Sequence, residues 1–296
     1  MGKQARILYM SGSVPVRSET FVYREILALR AIGVDVRTAS VHAPVHGLDD
    51  GVLDQMAKET VEIYSSGKGK IVLDVLAELC THPLRTIGTM MRVKLDALFS
   101  ADVLFKRRAK VVWQGMAGVA LARRARRVGV THIHAHMAHV PTTIGMYAAK
   151  QLGVSFSFTG HAIDLFPNRT LLREKLERAA YVNCISYWHR RFYQSIHQRG
   201  DEDYPVVRCG VDTTRYQNTP APGREVLEVF SVGRLVEKKG MDVLIDAARV
   251  IGERGEMKMR VRIAGGGPEG DRLAAMVADL PDGVEVELIG EIDNDT

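Results

Sequence analysis

The sequence predicts an α/β fold in which parallel sheets carry helices on both faces, and three observations lead to this prediction. Short apolar runs alternate with segments whose apolar residues recur every three or four positions, which is the pattern of strands followed by helices. Glycines or polar loops follow many of these runs, as a turn from strand to helix requires. A proline-rich stretch at 217–223 separates two such patterns. We therefore expect a first domain at 1–216, a linker at 217–223 and a second domain at 224–296.

The composition is that of an ordinary globular protein and argues against several classes. Hydrophobic residues make up 46% and charged residues 25%, which disfavours disorder, and no apolar run is long enough to span a membrane. The three cysteines, Cys80, Cys184 and Cys209, are widely spaced and form no Cys-x-x-Cys pair, which argues against a disulfide framework or a zinc site. The N-terminus opens directly into an apolar strand without a signal peptide, so we expect a cytoplasmic protein.

The elements of the first domain are predicted in chain order as follows. A strand at 5–9 runs into a loop with Gly12, a helix begins near Glu19 and a second strand follows at 34–41. Residues 42–69 are expected to be irregular apart from one strand near 61–64, and residues 70–128 to be largely helical. Further strands are predicted at 131–134, 154–159, 181–185 and 205–208, with helices at 140–152, 170–180 and 187–199. In the second domain the pattern predicts strands at 227–232, 259–264 and 284–289 and helices at 241–253 and 269–280.

Basic residues are concentrated in one part of the first domain. Between Arg85 and Arg127 there are 11 Lys or Arg and 2 Asp or Glu, a local charge of +9 in a chain whose net charge is +5. Apolar residues recur at helical spacing between the cations, at Leu84, Ile87, Met91, Leu95 and Leu98. This pattern is typical of a helix that lies on an anionic membrane surface. A helix that packs its apolar side into the core and leaves a basic side in water would give the same pattern.

The stretch 227–240, LEVFSVGRLVEKKG, is the most informative part of the second domain. It predicts a buried strand, a turn at Gly233 and a basic loop that leads into a helix at Gly240. Arg234 and Lys239 then lie at the carboxyl end of a strand, where α/β sheets bind ligands, and beside a helix N-terminus, where anions are favoured. Two cations at this place favour a phosphate-bearing ligand over an ordinary turn with solvated lysines.

A glycine-rich loop follows the next predicted strand. The sequence AGGGPEG at 264–270 contains the spacing G-x-G-x-x-G at Gly265, Gly267 and Gly270, and Glu285 follows, as in a dinucleotide-binding fingerprint. A single match of this kind is weak evidence for an NAD-linked enzyme. We favour the interpretation that these glycines let a nucleotide lie close to the backbone, and keep NAD binding as an alternative.

Histidines mark the binding edge of the first domain. Alternation in a strand places His132, His134 and His136 on one face, where a metal is conceivable. No nearby carboxylate or cysteine in the sequence completes a site, so we favour the plainer interpretation that they are histidines of the core and the sheet edge. His161 and Asp164 follow the next strand and are our candidate catalytic residues. His161 could donate a hydrogen bond to a sugar hydroxyl or act on a proton; a buried structural histidine is the alternative.

Six motifs together resemble one enzyme family. The segments SGSVPVRSETF, HAHMAHVPTT, FSFTGHAIDLF, CGVDTTRY, SVGRLVEKKG and IAGGGPEGDRL occur in the order found in retaining glycosyltransferases of family 4. The resemblance covers nearly the whole chain and looks most like the branch that makes bacterial exopolysaccharides of the colanic-acid type. It implies the GT-B fold, with two Rossmann-like domains, and transfer of a sugar from a UDP- or GDP-sugar donor to a lipid-linked or saccharide acceptor.

The resemblance also implies roles for individual residues. Arg234 and Lys239 would hold the donor diphosphate and neutralise the leaving group, so that no metal is needed. Gly265 and Gly267 would lie close to the nucleotide. His161 would contact the transferred sugar near its reacting carbon. No dedicated protein nucleophile is expected, because retention in this family is ascribed to attack on the same face that the leaving phosphate occupies.

Two further expectations follow from the resemblance. Gly12 would be the glycine of the N-terminal loop near the donor phosphate or the acceptor. The second domain, however, ends before the pair of glutamates that family members carry, so the resemblance implies a C-terminally truncated relative, and inactivity of this chain through the truncation stays open. A non-catalytic module that docks on a membrane or a partner is the alternative function. Nucleic acid is not an expected partner.

Overall fold

The computed structural model describes residues 5–16, 19–47, 50–161, 169–210, 213, 226–255, 257–281 and 283–292. The predicted linker at 217–223 lies outside these residues. The chain divides into two compact units, Met1–Val211 and Asp212–Thr296. Each unit is an α/β layer structure with its own parallel sheet, as the alternating pattern predicts.

The first unit is built on a six-stranded parallel sheet with the order β3-β2-β1-β4-β5-β6. Its strands are β1 (Arg6–Ser11), β2 (Asp35–Ser40), β3 (Val61–Glu62), β4 (His132–His136), β5 (Ser155–Gly160) and β6 (Val182–Cys184). The chain winds outward from β1 to β3 and then from β4 to β6. The strand order therefore reverses between β1 and β4, and the carboxyl ends of these strands flank the crevice in which such sheets bind ligands.

The helices of the first unit cover both faces of this sheet. They are α1 (Thr20–Ala31), α2 (Gly51–Glu59), α3 (Lys68–Thr81), α4 (Pro83–Phe99), α5 (Arg108–Arg126), α6 (Val140–Leu152), α7 (Leu172–Arg178) and α8 (Tyr187–Ile196). One apolar core, which includes Ile133, Ala135 and Tyr147, lies on the α5 and α6 side of the sheet. A smaller one, which includes Val22, Ile26 and Met56, lies under α1 and α2.

Two sequence predictions for the first unit are wrong. Residues 42–69 contain the helix α2, whose N-cap Asp50 accepts hydrogen bonds from the backbone N–H groups of Val52 and Leu53. Residues 205–208 do not form a seventh strand, because only Val206 makes an isolated bridge to Cys184. The short apolar run there supplies too few residues to extend a ladder beyond β6.

The second unit has a three-stranded parallel sheet in the order β7-β8-β9. Its elements are β7 (Val226–Val232), α9 (Met241–Arg254), β8 (Lys258–Ala264), α10 (Gly270–Ala278) and β9 (Val284–Gly290). Ile245, Val261 and Leu273 belong to a core that the two helices and the sheet share, which places α9 and α10 on one face.

Charged side chains line the other face of the three-stranded sheet. Arg260 donates hydrogen bonds to Glu285 at 2.6 Å and to Glu228 at 3.2 Å across the neighbouring strands. Arg262 lies over the ring of the exposed Phe230, 5.9 Å from its centroid.

Candidate functional site

A row of polar side chains crosses one face of the first sheet and leads to its carboxyl edge. His132, His134 and His136 share this face, as strand alternation predicts. Hydroxyl groups of the neighbouring strand β5 hold the first two rings: Ser157 Oγ lies 2.7 Å from His132 Nε2 and 2.7 Å from His134 Nδ1. Thr159 Oγ1 lies 3.0 Å from His134 Nε2. These two histidines are therefore structural, which agrees with the plainer interpretation of the motif.

The third histidine of the row joins Glu25 to His161. Oε2 of Glu25, on α1, lies 3.3 Å from His136 Nε2. On the other side of the ring, His136 Nδ1 lies 3.3 Å from Nε2 of His161, the residue that follows β5. Phe21, one turn before Glu25 on α1, lies against the His161 ring with the centroids 4.6 Å apart. The result is a carboxylate–imidazole–imidazole chain that ends at the carboxyl edge of the sheet.

Burial and neighbouring charge set the protonation of this chain. Burial alone would raise the pKa of Glu25, but hydrogen bonds from His136 and Tyr9 and the nearby histidines outweigh it and lower the pKa to about 2. Burial, with the neighbouring His136 and His189, lowers the pKa of His161 to about 3. At neutral pH Glu25 is therefore an anion and His161 a neutral ring, able to donate through one nitrogen and accept through the other.

The structure supplies the carboxylate that the sequence lacked near the histidine motif. Ligand atoms of Glu25, His134 and His136 lie within 4.8 Å of one another, so the expectation that no carboxylate stands near these rings is wrong. Both nitrogens of His134 already face hydroxyl oxygens, however, and His136 lies between Glu25 and His161. His134 is thus fully occupied by its hydroxyl partners, and a metal bound there would have to displace one of them.

The other two residues predicted in this unit have different outcomes. Gly12 follows β1 beside the point where the strand order reverses; its carbonyl accepts a hydrogen bond from His42 N at 2.9 Å. A Cβ at Gly12 would meet nothing within 4 Å, so the space in front of its backbone is open. Asp164 lies outside the described residues.

In the second unit, the loop after β7 has the predicted strand–turn–helix form. A short 3₁₀ turn, Glu237–Lys239, leads to Gly240, which has a positive φ of 65° and precedes α9. The side chains of Arg234 and Lys239 are exposed, and among the described residues neither forms an ion pair with a carboxylate. Two cations without acidic partners thus lie at the carboxyl edge of this sheet, next to the N-terminus of a 14-residue helix.

The glycines after β8 are needed for the packing of two loops against each other. A Cβ at Gly265 would lie 2.0 Å from the carbonyl oxygen of Gly233, and one at Gly267 would lie 2.3 Å from that of Leu235. Leu235 N donates to the carbonyl of Gly266 at 2.9 Å. The loop that carries Arg234 is therefore held by the glycine loop beside it.

The glutamate expected for a dinucleotide fingerprint lies at the wrong end of its strand. Glu285 is the second residue of β9, far from the carboxyl edge, and it pairs with Arg260. Sequence reasoning missed Glu291, which directly follows β9: a Cβ at Gly266 would lie 2.7 Å from its Oε1. Its position after the last strand was the signal that could have identified it.

The basic region has two parts with different surroundings. Arg123, Arg124 and Arg126, at the end of α5, pair with Asp74 and Glu78 of α3 and hold the helices together. On α4 the apolar stripe predicted from the sequence faces outward. The side that α4 buries is formed by Thr86, Thr89, Val93, Asp96 and Ala97 instead.

This outward stripe contradicts the alternative of a helix that packs its apolar side into the core. Its members are Leu84 (85% exposed), Ile87 (54%), Met91 (54%), Leu95 (41%) and Leu98 (40%), and Phe99 (78%) and Phe105 (83%) extend it. The buried side of α4 is small because α5 comes close: a Cβ at Gly115 would lie 2.4 Å from Val93. None of the helices in the described part of the chain has the length and hydropathy that crossing a bilayer requires.

Comparison with known proteins gives the second unit a family likeness. Residues 213–296 match the family model described as glycosyl transferases group 1. Over 89 residues the chain is 44% identical to the putative colanic acid biosynthesis glycosyltransferase WcaL of Escherichia coli K12, which is 29% of this chain and 21% of that protein. The matched region therefore spans about a fifth of the length of this curated relative.

Solved structures resemble the whole chain. The apo form of the lipopolysaccharide outer core galactosyltransferase WaaB matches 97% of this chain and 68% of its own, with a TM-score of 0.60 and 14% identity. A glycosyltransferase from Rickettsia africae ESF-5 matches 99% of this chain and 70% of its own, with a TM-score of 0.59 and 14% identity. At this identity the likeness shows the fold, and it confirms the predicted α/β architecture of the GT-B glycosyltransferases.

Proposed function

We propose that the protein is a glycosyltransferase of polysaccharide biosynthesis that takes a sugar from a nucleotide-diphosphate-sugar, with a UDP- or GDP-sugar as donor. The observation that carries this proposal is the loop after β7. It lies within the group 1 match, and its Arg234 and Lys239 have no carboxylate partner in the described part of the chain. A diphosphate at that edge would gain charge-assisted hydrogen bonds and the favourable end of the α9 dipole.

The proposed reaction retains the configuration of the sugar. The acceptor hydroxyl forms its bond to the anomeric carbon on the face from which the diphosphate leaves, and the leaving phosphate oxygen takes the hydroxyl proton. Arg234 and Lys239 stabilise the negative charge that grows on the diphosphate as its bond to the sugar breaks, which is the task a metal ion has in other transferases. The proposal therefore assigns no metal and no protein nucleophile.

His161 is proposed to contact the transferred sugar. It lies at the carboxyl edge of the first sheet and is kept neutral by burial, so its ring can exchange hydrogen bonds with hydroxyl groups without adding a charge. Gly12 is proposed to border the donor phosphate or the acceptor, and Gly265 and Gly267 to lie near the nucleotide. Asp164 keeps its proposed catalytic role, which rests on the sequence alone.

The test is transfer from a radiolabelled donor. The purified chain is incubated with UDP- and GDP-sugars and a lipid extract of an exopolysaccharide-producing bacterium, and label in the lipid or saccharide fraction is measured with and without EDTA. We expect transfer, or slow hydrolysis of the donor, that EDTA leaves unchanged. Absence of both with every donor would refute the proposed activity, and loss of turnover in EDTA would refute its metal-free form.

A second proposed function is attachment to an anionic membrane surface at the inner face of the cell membrane. The outward stripe of α4 favours it, because contiguous exposed apolar side chains of this number mark interaction surfaces. Lys94 and Lys106 lie near the stripe without acidic partners among the described residues, and they complement an anionic surface. Each inserted leucine or methionine would contribute up to about 1.5–3 kcal/mol.

Vesicle flotation tests this attachment. We expect the chain to float with vesicles that contain anionic lipid and to be released by salt. The triple variant Leu84→Ser, Ile87→Ser, Met91→Ser should stay in solution, whereas Ile32→Ser, which changes an equally exposed residue after α1, should float like the unchanged chain. Equal flotation of the two variants would refute the role of the stripe.

A further inference from the structure

A pocket in the first unit, separate from the histidine chain, lies where two helices begin. It is lined by residues of the first two turns of α5 and α6 and of the segments that precede α5, α6 and α7, and its volume is about 310 Å³. We call it the α5–α6 pocket; its lining residues are Arg107, Lys110, Val111, Gln114, His139, Val140, Thr143 and Thr170. This volume is at the lower end of the range for small-molecule sites and has room for about ten water molecules.

The electrostatics of this pocket favour an anion. Helices α5 and α6 are 19 and 13 residues long, and neither has an acidic residue in its first turn. Instead, Arg107 and Lys110 stand at the start of α5, where a cation opposes the helix dipole. Among the described residues neither cation pairs with a carboxylate, and the contact of Arg107 with the Thr170 hydroxyl is long, at 3.5 Å. A bound anion would compensate both cations and both helix ends at once.

A buried amide gives independent evidence that the pocket holds a polar ligand. Gln114 is only 4% exposed and lines the pocket, yet its side chain has no hydrogen-bond partner among the described residues. Because the Gln114 side chain lines the pocket, a ligand there can form the hydrogen bonds that the described residues do not supply.

One buried lysine holds two of the backbone segments that line the pocket. Lys175 is fully buried, and its ammonium group donates hydrogen bonds to the carbonyls of Ala138 at 2.7 Å, His139 at 3.1 Å and Thr170 at 2.8 Å. These three bonds tie the segment before α6 to the segment before α7. The backbone segments that border the pocket before α6 and α7 are therefore held in place by the fold.

We propose that the α5–α6 pocket binds the phosphate or diphosphate group of a lipid-anchored acceptor. Two neighbouring features select this ligand class. The cations, the amide and the Thr143 and Thr170 hydroxyls match phosphate oxygens. The exposed Leu104 and Phe105, three and two residues before Arg107, lead from the outward stripe to the pocket. The lipid-anchored part of the proposal rests on the proposed function, which assigns the donor phosphates to a different place, at Arg234 and Lys239.

Titration calorimetry with inorganic pyrophosphate tests the pocket in the full chain carrying Lys239→Ala, which removes a proposed donor contact. Pyrophosphate should bind, and Arg107→Gln, Lys110→Gln and Gln114→Leu should each weaken it about tenfold or more, the loss expected for one strong hydrogen bond. Lys58→Gln, a change of the same charge on the exposed side of α2, should bind as tightly as the background chain. Thermal unfolding shows whether each variant is folded. If the three pocket variants fold and bind like Lys58→Gln, the proposal is overturned.

Vesicle flotation distinguishes the diphosphate of a lipid-anchored acceptor from the phosphate of an ordinary anionic lipid. Phosphatidylcholine vesicles carry either a polyprenyl diphosphate or phosphatidylglycerol at equal surface charge. The unchanged chain should prefer the diphosphate vesicles, and Lys110→Gln should lose that preference while Lys58→Gln keeps it. Pyrophosphate binding without this preference would overturn the lipid-anchored part. The pocket variants should bind UDP and GDP as tightly as the chain from which they are made. If the unchanged chain binds no nucleotide but does bind pyrophosphate in the pocket, the proposed function is refuted and the pocket proposal stands.

Discussion

The ring centroids of His136 and His161 lie 5.6 Å apart, and Nδ1 of His136 faces Nε2 of His161 at 3.3 Å. Since Glu25 faces His136 Nε2 as an anion, that nitrogen of His136 carries a proton, and in the singly protonated form of the ring Nδ1 is the acceptor. His161 must then donate from Nε2. A carboxylate on α1 therefore decides which nitrogen of a histidine two strands away carries the proton.

The first prediction concerns this tautomer. At pH 8 the nitrogen chemical shifts of His161, measured by long-range proton–nitrogen correlation, should be those of a ring protonated at Nε2. Glu25→Gln removes the charge that fixes the order, so His161 should become a mixture of tautomers. A ring protonated at Nδ1 in the unchanged chain would contradict this proton order.

The second prediction is a loss of stability in acid that His161 causes. Its pKa falls from 6.5 in the unfolded chain to about 3 in the folded one, so between these values the unfolded state binds the extra proton. The contribution of neutral His161 to the free energy of unfolding is fully present above pH 6.5 and is lost as the pH falls towards 3. The free energy of unfolding of His161→Asn should therefore fall less steeply in this window, by up to about 1.4 kcal/mol per pH unit. If the free energy of unfolding depends on pH in the same way in the unchanged chain and in His161→Asn, this prediction is refuted.

The lowered pKa of Glu25 predicts a second loss of stability, in a lower pH range. Its pKa falls from 4.5 to about 2, so its contribution is present above pH 4.5 and is lost as the pH falls towards 2. Compared with the unchanged chain, Glu25→Gln should show a flatter dependence of the unfolding free energy between pH 4.5 and 2. An unchanged slope there would show that Glu25 is not stabilised as an anion.

Lys175 gives a prediction about stability alone. Lys175→Met keeps most of the side-chain volume but leaves one buried and two partly buried carbonyls without their donor, and we expect a loss of about 3 kcal/mol or more. The matched control is Glu177→Met on the exposed side of the same helix, which should change stability by less than about 0.5 kcal/mol. Urea unfolding of both variants measures the difference.

The glycine loop of the second unit gives a further prediction. Gly267→Ala places a Cβ 2.3 Å from the carbonyl oxygen of Leu235, so the loop after β7 must shift and the second unit should lose stability. Gly270→Ala, whose Cβ would meet Leu235 at an ordinary 3.9 Å, is the control. Hydrogen exchange of β7 and β8 should increase in the first variant only, and equal exchange in both would contradict the packing described above.

The sequence predicts most strands and helices because hydrophobic periodicity and glycine turns are local signals, and β4, α6 and β7 follow them closely. It could not predict that Glu25 meets His136, since α1 and β4 are more than a hundred residues apart and only sheet order brings them together. It also could not decide which way α4 faces. The apolar stripe had the right spacing for a core, but the close approach of Gly115 to Val93 leaves room only for small side chains on the inner side.

The most direct test of the central claim is calorimetric titration of UDP and GDP into the unchanged chain, Lys239→Ala and Lys238→Ala. The two lysines are neighbours in the same short turn and both are exposed, so they differ only in the role proposed for Lys239. We predict that one nucleotide binds, that Lys239→Ala weakens it by about 1.5–3 kcal/mol and that Lys238→Ala leaves it nearly unchanged. Absence of binding, or equal losses in both variants, would contradict the assignment of this loop to the donor diphosphate.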